Sequence, residues 1–265
     1  MPAAGQAPGA GRGEEPDAGP ALDPARTLAA SHPPDPERGA GHAVGQLSPV
    51  PAPAAGLAAI VLAGGRAARL GGADKPGLVV GGRTLVAAVV AAAAGAGAGH
   101  VVVVGPARSG LGSASGAGSG FGPAGPPSCR VEFVREEPPG AGPVAALRRG
   151  LAEVRDPVVA VLAADMPFLR SRHLTALLRE LEPAHCGAIL LDDAGAAQWL
   201  AGCWDAGALR AELAGYAGKS LHGLLEPLRP ATLSYPLAAG EPPPWLDCDT
   251  ASDLSQARDL ARRRL

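Results

Sequence analysis

Seven uninterrupted apolar residues, Leu57-Ala58-Ala59-Ile60-Val61-Leu62-Ala63, stop abruptly at Gly64-Gly65. A run of strand length with no polar side belongs to a strand covered on both faces, as in a parallel sheet flanked by helices. Val101-Val102-Val103-Val104 and Val158-Val159-Ala160-Val161-Leu162-Ala163 repeat the pattern, with a shorter strand at 131–134. Helical stretches alternate with them: one capped by Thr84 and running to about Ala94, one over 143–154, one over 171–181. Strands at 188–191, 199–204 and 232–235 and helices near 206–214, 221–228 and 251–264 complete the series. This alternation predicts a Rossmann-like, three-layer αβα domain with a mostly parallel sheet, whose sites lie at the carboxyl ends of the strands.

The first 56 residues contain 11 Pro and 9 Gly and no apolar periodicity. They cannot build a core and are expected to be a disordered Pro/Gly/Ala-rich extension. The 209 residues that remain, 57–265, suit one three-layer domain. A net charge of −2 supplies no basic field for nucleic acid. Cys129, Cys186, Cys203 and Cys248 form no CxxC pair, so neither a zinc site nor a disulfide framework is expected. Without a basic segment leading into an apolar one near Met1, no secretory signal is expected, and the protein reads as cytoplasmic. The uncharged stretch 85–104 is long enough to span a bilayer, but Gly95, Gly97, Gly99 and His100 divide it into a helix and a strand, and no membrane partner is expected. Gly218-Lys219-Ser220 ends like a P-loop, yet Leu213 stands where that motif needs glycine.

Chemistry concentrates in Leu62-Ala63-Gly64-Gly65-Arg66-Ala67-Ala68-Arg69-Leu70-Gly71-Gly72-Ala73-Asp74-Lys75-Pro76. Glycines directly after a buried strand let backbone N–H groups approach a polyphosphate, and Arg66, Arg69 and Lys75 add three cations within ten residues. Only Lys75 and Lys219 are lysines among 23 cationic residues, so the choice of Lys75 points to a compact point charge where a guanidinium would not fit. The alternative is a solvated basic turn. Spacing differs from GxGxxG and no acid follows the second strand, which disfavours a dinucleotide and favours a nucleoside triphosphate. Asp165 emerges from the strand 158–163 at the same sheet edge. A carboxylate facing triphosphate repels it unless Mg²⁺ lies between them, and Mg²⁺ is usually held by one or two carboxylates plus phosphate oxygens. The competing reading makes Asp165 an N-cap for the helix at Ser171. His173, His185 and His222 are scattered and read as structural.

The run LAGGRAARLGGADKPGL resembles the signature loop of the molybdenum cofactor guanylyltransferases, the MobA-like branch of the nucleotidyltransferases. The likeness continues in order through Pro138-Pro139-Gly140-Ala141-Gly142-Pro143-Val144-Ala145-Ala146-Leu147, Ala164-Asp165-Met166-Pro167-Phe168 and Asp247-Cys248-Asp249-Thr250, covering nearly all of 57–265. It implies GMP transfer from MgGTP to the terminal phosphate of molybdopterin molybdenum cofactor, with molybdoenzyme apoproteins or their chaperones as further partners. It also implies catalytic roles for Arg69, Lys75 and Asp165, with Mg²⁺ on Asp165. Nucleotide binding falls to Leu62, Ala63, Gly64, Gly65, Arg66, Gly71, Lys75, Asp165 and a carboxylate at Glu137 or its neighbour Glu136. Asp247 and Asp249 replace two family Asn residues; a second metal, acceptor contact or capping of the last helix through Thr250 all remain open. So do a cytidylyltransferase on the same cofactor, a guanylyltransferase on another small phosphate such as phospholactate, and a nucleotide-binding module without turnover.

Overall fold

The computed structural model describes residues 56–64, 74–108, 111, 129–181 and 185–263. Expectations for residues 1–55, and for Gly65, Arg66, Arg69 and Gly71, lie outside the described residues. The chain runs through β1 (Leu57–Leu62), β2 (Val79–Val80), β3 (Arg83–Thr84), α1 (Leu85–Gly95), β4 (Ala98–Val104), β5 (Arg130–Val134) and α2 (Pro143–Leu151). It continues with β6 (Val158–Ala163), α3 (Ser171–Arg179), β7 (Gly187–Leu191), β8 (Ala197–Asp205), α4 (Ala206–Gly215), α5 (Leu221–Leu225), β9 (Ala231–Ser234) and α6 (Ala251–Arg262). Seven strands form one sheet in the order β5-β4-β1-β6-β8-β7-β9. β5, β4, β1 and β6 are mutually parallel, β8 is antiparallel to both of its neighbours, and β9 is parallel to β7.

The apolar runs occupy the middle of this sheet for the reason their sequence gives. In β1, Leu57, Ala59 and Val61 pack with α1 and α3, whereas Ala58 and Ile60 pack with α2, α4 and α5. β1 is thus covered on both sides, which is why its run contains no polar side chain. Helix α2 sits so close that a Cβ on Gly150 would lie 2.7 Å from Cγ2 of Ile60. Thr84 does cap α1, accepting from the N–H of Ala87 at 3.3 Å. The stretch 85–104 divides into α1 and β4, and no helix among the described residues is long and apolar enough to cross a membrane. Ser220 of the P-loop lookalike caps α5 by accepting from Gly223 N–H at 3.4 Å. The two-residue strands β2 and β3 form a hairpin that hydropathy alone did not mark. Together with Phe168 and α6 they enclose a small satellite core of Val80, Leu85, Cys248, Leu254 and Ala257.

The chain goes outward from β1 to β4 and β5, then returns to place β6 on the other side of β1. At such a reversal, beyond the carboxyl ends of the two strands, open α/β sheets characteristically bind their ligands.

His173 has the structural role expected of it. Wholly buried at the start of α3, its Nδ1 accepts from the Arg170 N–H at 3.1 Å, and its ring meets Tyr235 edge-on at 4.6 Å. Burial, reinforced by the charges of Arg172 and Arg170, moves the imidazole from 6.5 down to about 4, while Glu241 stands 4.0 Å from Nε2. Since the unfolded chain takes up the proton first, stability is complete above pH 6.5 and is lost as pH falls toward 4. The loss approaches roughly 3 kcal/mol at its limit. Denaturant midpoints at pH 7 and pH 4.5 check this: the drop should be clearly smaller in His173→Asn, and equal drops would contradict it.

Candidate active site

At the carboxyl edge, the end of β1 is fixed from both sides. The N–H of Ala63 donates to the Val104 carbonyl at 2.9 Å, and the N–H of Ala164 donates to the Leu62 carbonyl at 3.1 Å. Gly105 lies flat against this turn; a Cβ there would stand 2.8 Å from the Ala63 carbonyl oxygen. Backbone bonds to β4 and to the residue after β6 thus set the end of β1, and Gly64, exposed and without a side chain, follows it at the sheet edge.

Glu136, just past β5, is buried at 7% exposure and reaches Gly64, where a Cβ would meet its Oε1 at 3.6 Å. Oε1 accepts from the Gly140 N–H at 2.9 Å; Oε2 is buried with no partner. An unpaired buried carboxylate oxygen is costly unless something else completes it. Glu137, one residue on, is exposed. The structure thus brings Glu136 to the glycine turn and leaves Glu137 outside it.

Lys75 opens a short 3-10 turn with Pro76, and its Nζ lies between two carboxylates brought from distant parts of the chain. It donates to Oδ2 of Asp165 at 2.5 Å and also to Oδ1 of Asp249. Burial opposes the lysine charge, but the bonds and charges of Asp165 and Asp249 outweigh it and hold the ammonium above its usual range. Asp165 does not cap α3, whose N-cap position is Arg170. Asp247 is pushed up, first by burial and then by the charges of Asp249 and Asp165. Thr250 caps α6 with a reciprocal pair: Asp253 N–H donates to its Oγ1 at 3.2 Å, and its own N–H donates to Asp253 Oδ2 at 2.7 Å. In the terminal motif, capping belongs to Thr250 and the site contact to Asp249.

A further clamp was not legible in the sequence. Arg108, beyond β4, donates from Nε to Asp74 Oδ2 at 3.0 Å and from Nη2 to Oδ1 at 2.5 Å, while Nη1 bonds the Pro106 carbonyl. The bidentate bond draws the Asp74 carboxyl below its ordinary range. It ties the end of the glycine loop to the end of β4 and so holds Lys75 in place. Arg108 lies 34 residues from Asp74, and no local pattern marks such a pair.

Covalent catalysis by thiol finds no support among the described residues. Burial pushes Cys203 and Cys248 up to about 12 and also raises Cys129. The donor set suits a hard divalent cation: Asp165 Oδ1 is buried and unpartnered while Oδ2 holds Lys75. No group of three or more His, Cys, Asp or Glu side chains arranged for a metal occurs among the described residues. Asp165, with Asp249 beside it, is therefore a site of the kind that needs phosphate or water oxygens to complete the coordination shell.

A glycine turn, a half-buried lysine and a carboxylate with one unpartnered oxygen thus gather at the switch point of an α/β sheet, where such folds bind nucleotides. A family model described as the MobA-like NTP transferase domain matches residues 59–232, and the chain belongs to that family. Among solved structures, the chain is similar to a nucleotidyl transferase from Methanothermobacter, with TM-score 0.60, 23% identity, and coverage of 79% of this chain and 99% of that one. A 2-C-methyl-D-erythritol 4-phosphate cytidylyltransferase from Thermus thermophilus gives TM-score 0.53 at 20% identity, covering 78% and 99%. Molybdopterin-guanine dinucleotide biosynthesis protein A from Archaeoglobus fulgidus gives TM-score 0.53 at 21% identity, covering 77% and 98%. These likenesses confirm the α/β nucleotidyltransferase fold. No curated protein matches the chain.

Proposed function

We propose that residues 57–265 transfer GMP from MgGTP to the terminal phosphate of molybdopterin molybdenum cofactor, releasing pyrophosphate. A phosphate oxygen of the acceptor attacks the α-phosphorus of GTP; the bond from that phosphorus to the bridging oxygen of the β-phosphate breaks, and the electron pair leaves with pyrophosphate. The nucleophile is already an anion, so no strong base is needed, and the protein's work is alignment and charge neutralisation. Gly64 admits the nucleotide to the backbone, Lys75 offsets phosphate charge, and Asp165 with Asp249 would hold Mg²⁺. When bound there, Mg²⁺ supplies further neutralisation of the triphosphate oxygens. Arg66, Arg69, Gly65 and Gly71 extend the phosphate cradle in this reading.

The observation that carries guanine over cytosine is Glu136, whose Oε1 reaches Gly64 and whose Oε2 is buried and unpartnered. Guanine offers two adjacent donors, N1–H and the N2 amino group, to such a carboxylate. Cytosine offers one donor beside an acceptor. The name of the Archaeoglobus relative and the order of the motifs support the acceptor. Pyrophosphate release tests the reading, measured with GTP and CTP against molybdenum cofactor and against phospholactate. Turnover with GTP and molybdenum cofactor is expected to exceed every other pairing; preference for CTP, or for phospholactate, would overturn the corresponding half.

A further inference from the structure

β8, the neighbour of β6, carries at the same sheet edge a side chain that none of the steps above uses. Along the carboxyl edge the sheet order sets Glu136 after β5, Gly64 after β1 and Asp165 after β6, with β8 next in line. β8 pairs with β6 only as far as Leu162↔Ala201, so the residues before Ala201 project toward the same edge. There the strand is irregular. Between the pairs Ile189↔Gly202 and Leu190↔Gln198, β8 advances four residues while β7 advances one. A bulge with three extra residues re-aims the side chains it carries, and bulges of this kind recur beside active sites.

Trp199 stands on that bulge. Its indole packs at one margin against the α2, α4 and α5 core and meets His222 edge-on, ring centres 5.1 Å apart at 89°. It nevertheless stays half-buried, as do its neighbours Gln198 and Leu200. The chain has only three tryptophans, and Trp204, five positions on, is wholly buried in the same core. A large ring left partly open at the carboxyl edge of the sheet offers a flat polarisable surface for another ring.

We propose that Trp199 is the platform on which the fused heterocycle of the phosphate acceptor stacks. The assignment rests on the function proposed above, in which that heterocycle is a pterin. It follows from the order of groups along the edge: the base lies toward Glu136, the reacting phosphates at Lys75 and Asp165, and the acceptor on the far side, from which its phosphate can approach opposite the leaving pyrophosphate. The bulge supplies the aim, and the His222 contact holds the indole against rotation.

Steady-state kinetics of the full chain with MgGTP and molybdenum cofactor tests this. Trp199→Ala should raise KM for the acceptor about tenfold or more while KM for GTP stays within about twofold, and Trp199→Phe should retain most of the acceptor affinity. Acceptor binding should also quench tryptophan emission in the wild type, and Trp199→Phe should lose most of that quenching while keeping turnover; this second readout decides the matter if the alanine variant does not fold. Turnover with an unchanged acceptor KM in Trp199→Ala, parallel increases in both KM values, or a wild type left unquenched at saturating acceptor would each overturn the stacking role alone. A wild type that gives no turnover with the pterin acceptor overturns the proposed function first, and the stacking role with it.

Discussion

Asp165→Ala should lower nucleotide transfer roughly a thousandfold with the fold retained, the loss typical of removing one preorganised electrostatic contact at a developing charge. Asp165 is the residue at which the crevice's charges meet: Oδ2 holds the Lys75 ammonium and Oδ1 is buried without a partner. Deleting the side chain removes both the proposed metal oxygen and the anchor of Lys75. Lys75→Ala should lose a comparable factor, because Asp165 and Asp249 are then left facing one another without the cation between them. Lys75→Arg should not restore the rate, since a planar fork does not occupy the narrow place of a point charge between two carboxylates. Thermal unfolding midpoints within a few degrees of the wild type separate this outcome from loss of fold. Near-wild-type rates in Asp165→Ala and Lys75→Ala would remove both residues from the mechanism.

Glu136→Gln should reduce the preference for GTP over CTP roughly a hundredfold, mainly through a higher KM for GTP. The substitution keeps size and the bond from Gly140 but replaces one carboxylate oxygen by an amide that donates. Guanine N1–H and the N2 amino group then meet a donor where they need an acceptor. Rates at saturating GTP should change much less, since Glu136 lies three strands from Asp165 in the sheet order. Glu137→Gln, at an exposed position, should leave selection unchanged. An unaltered ratio of kcat/KM for the two nucleotides in Glu136→Gln would separate this carboxylate from base recognition.

Much of the fold was legible because burial on both faces leaves a strong signal. β1 and β6 end within one residue of their apolar runs, and Thr84 and Thr250 mark the starts of α1 and α6. The β2–β3 hairpin escaped notice since two residues per strand carry no periodicity; it is held by packing on Phe168 and α6, which are far away in sequence. β4 begins at Ala98, three residues ahead of the valine run, because Gly97 turns the chain with φ +99° and pairing with β1 extends back over polar His100. At the site, Lys75 and Asp165 were legible one by one from scarcity and position. Their bond was not, and Asp249, 174 residues from Lys75, was marked only as one of two acids with several open roles. Choosing between Glu136 and Glu137 required knowing which of two adjacent side chains turns inward at the end of β5, and only the packing of Gly64 and Gly140 decides that.

The central claim is that the bond broken is the one between the α- and β-phosphates of GTP. Parallel reactions with GTP labelled at the α- or the γ-phosphorus, in the presence of molybdenum cofactor, test it most directly. The account predicts α-label in the acceptor product, γ-label in pyrophosphate, and one pyrophosphate released per dinucleotide formed. Label from the γ-position in the acceptor, or pyrophosphate release with no α-label in any product, would contradict it.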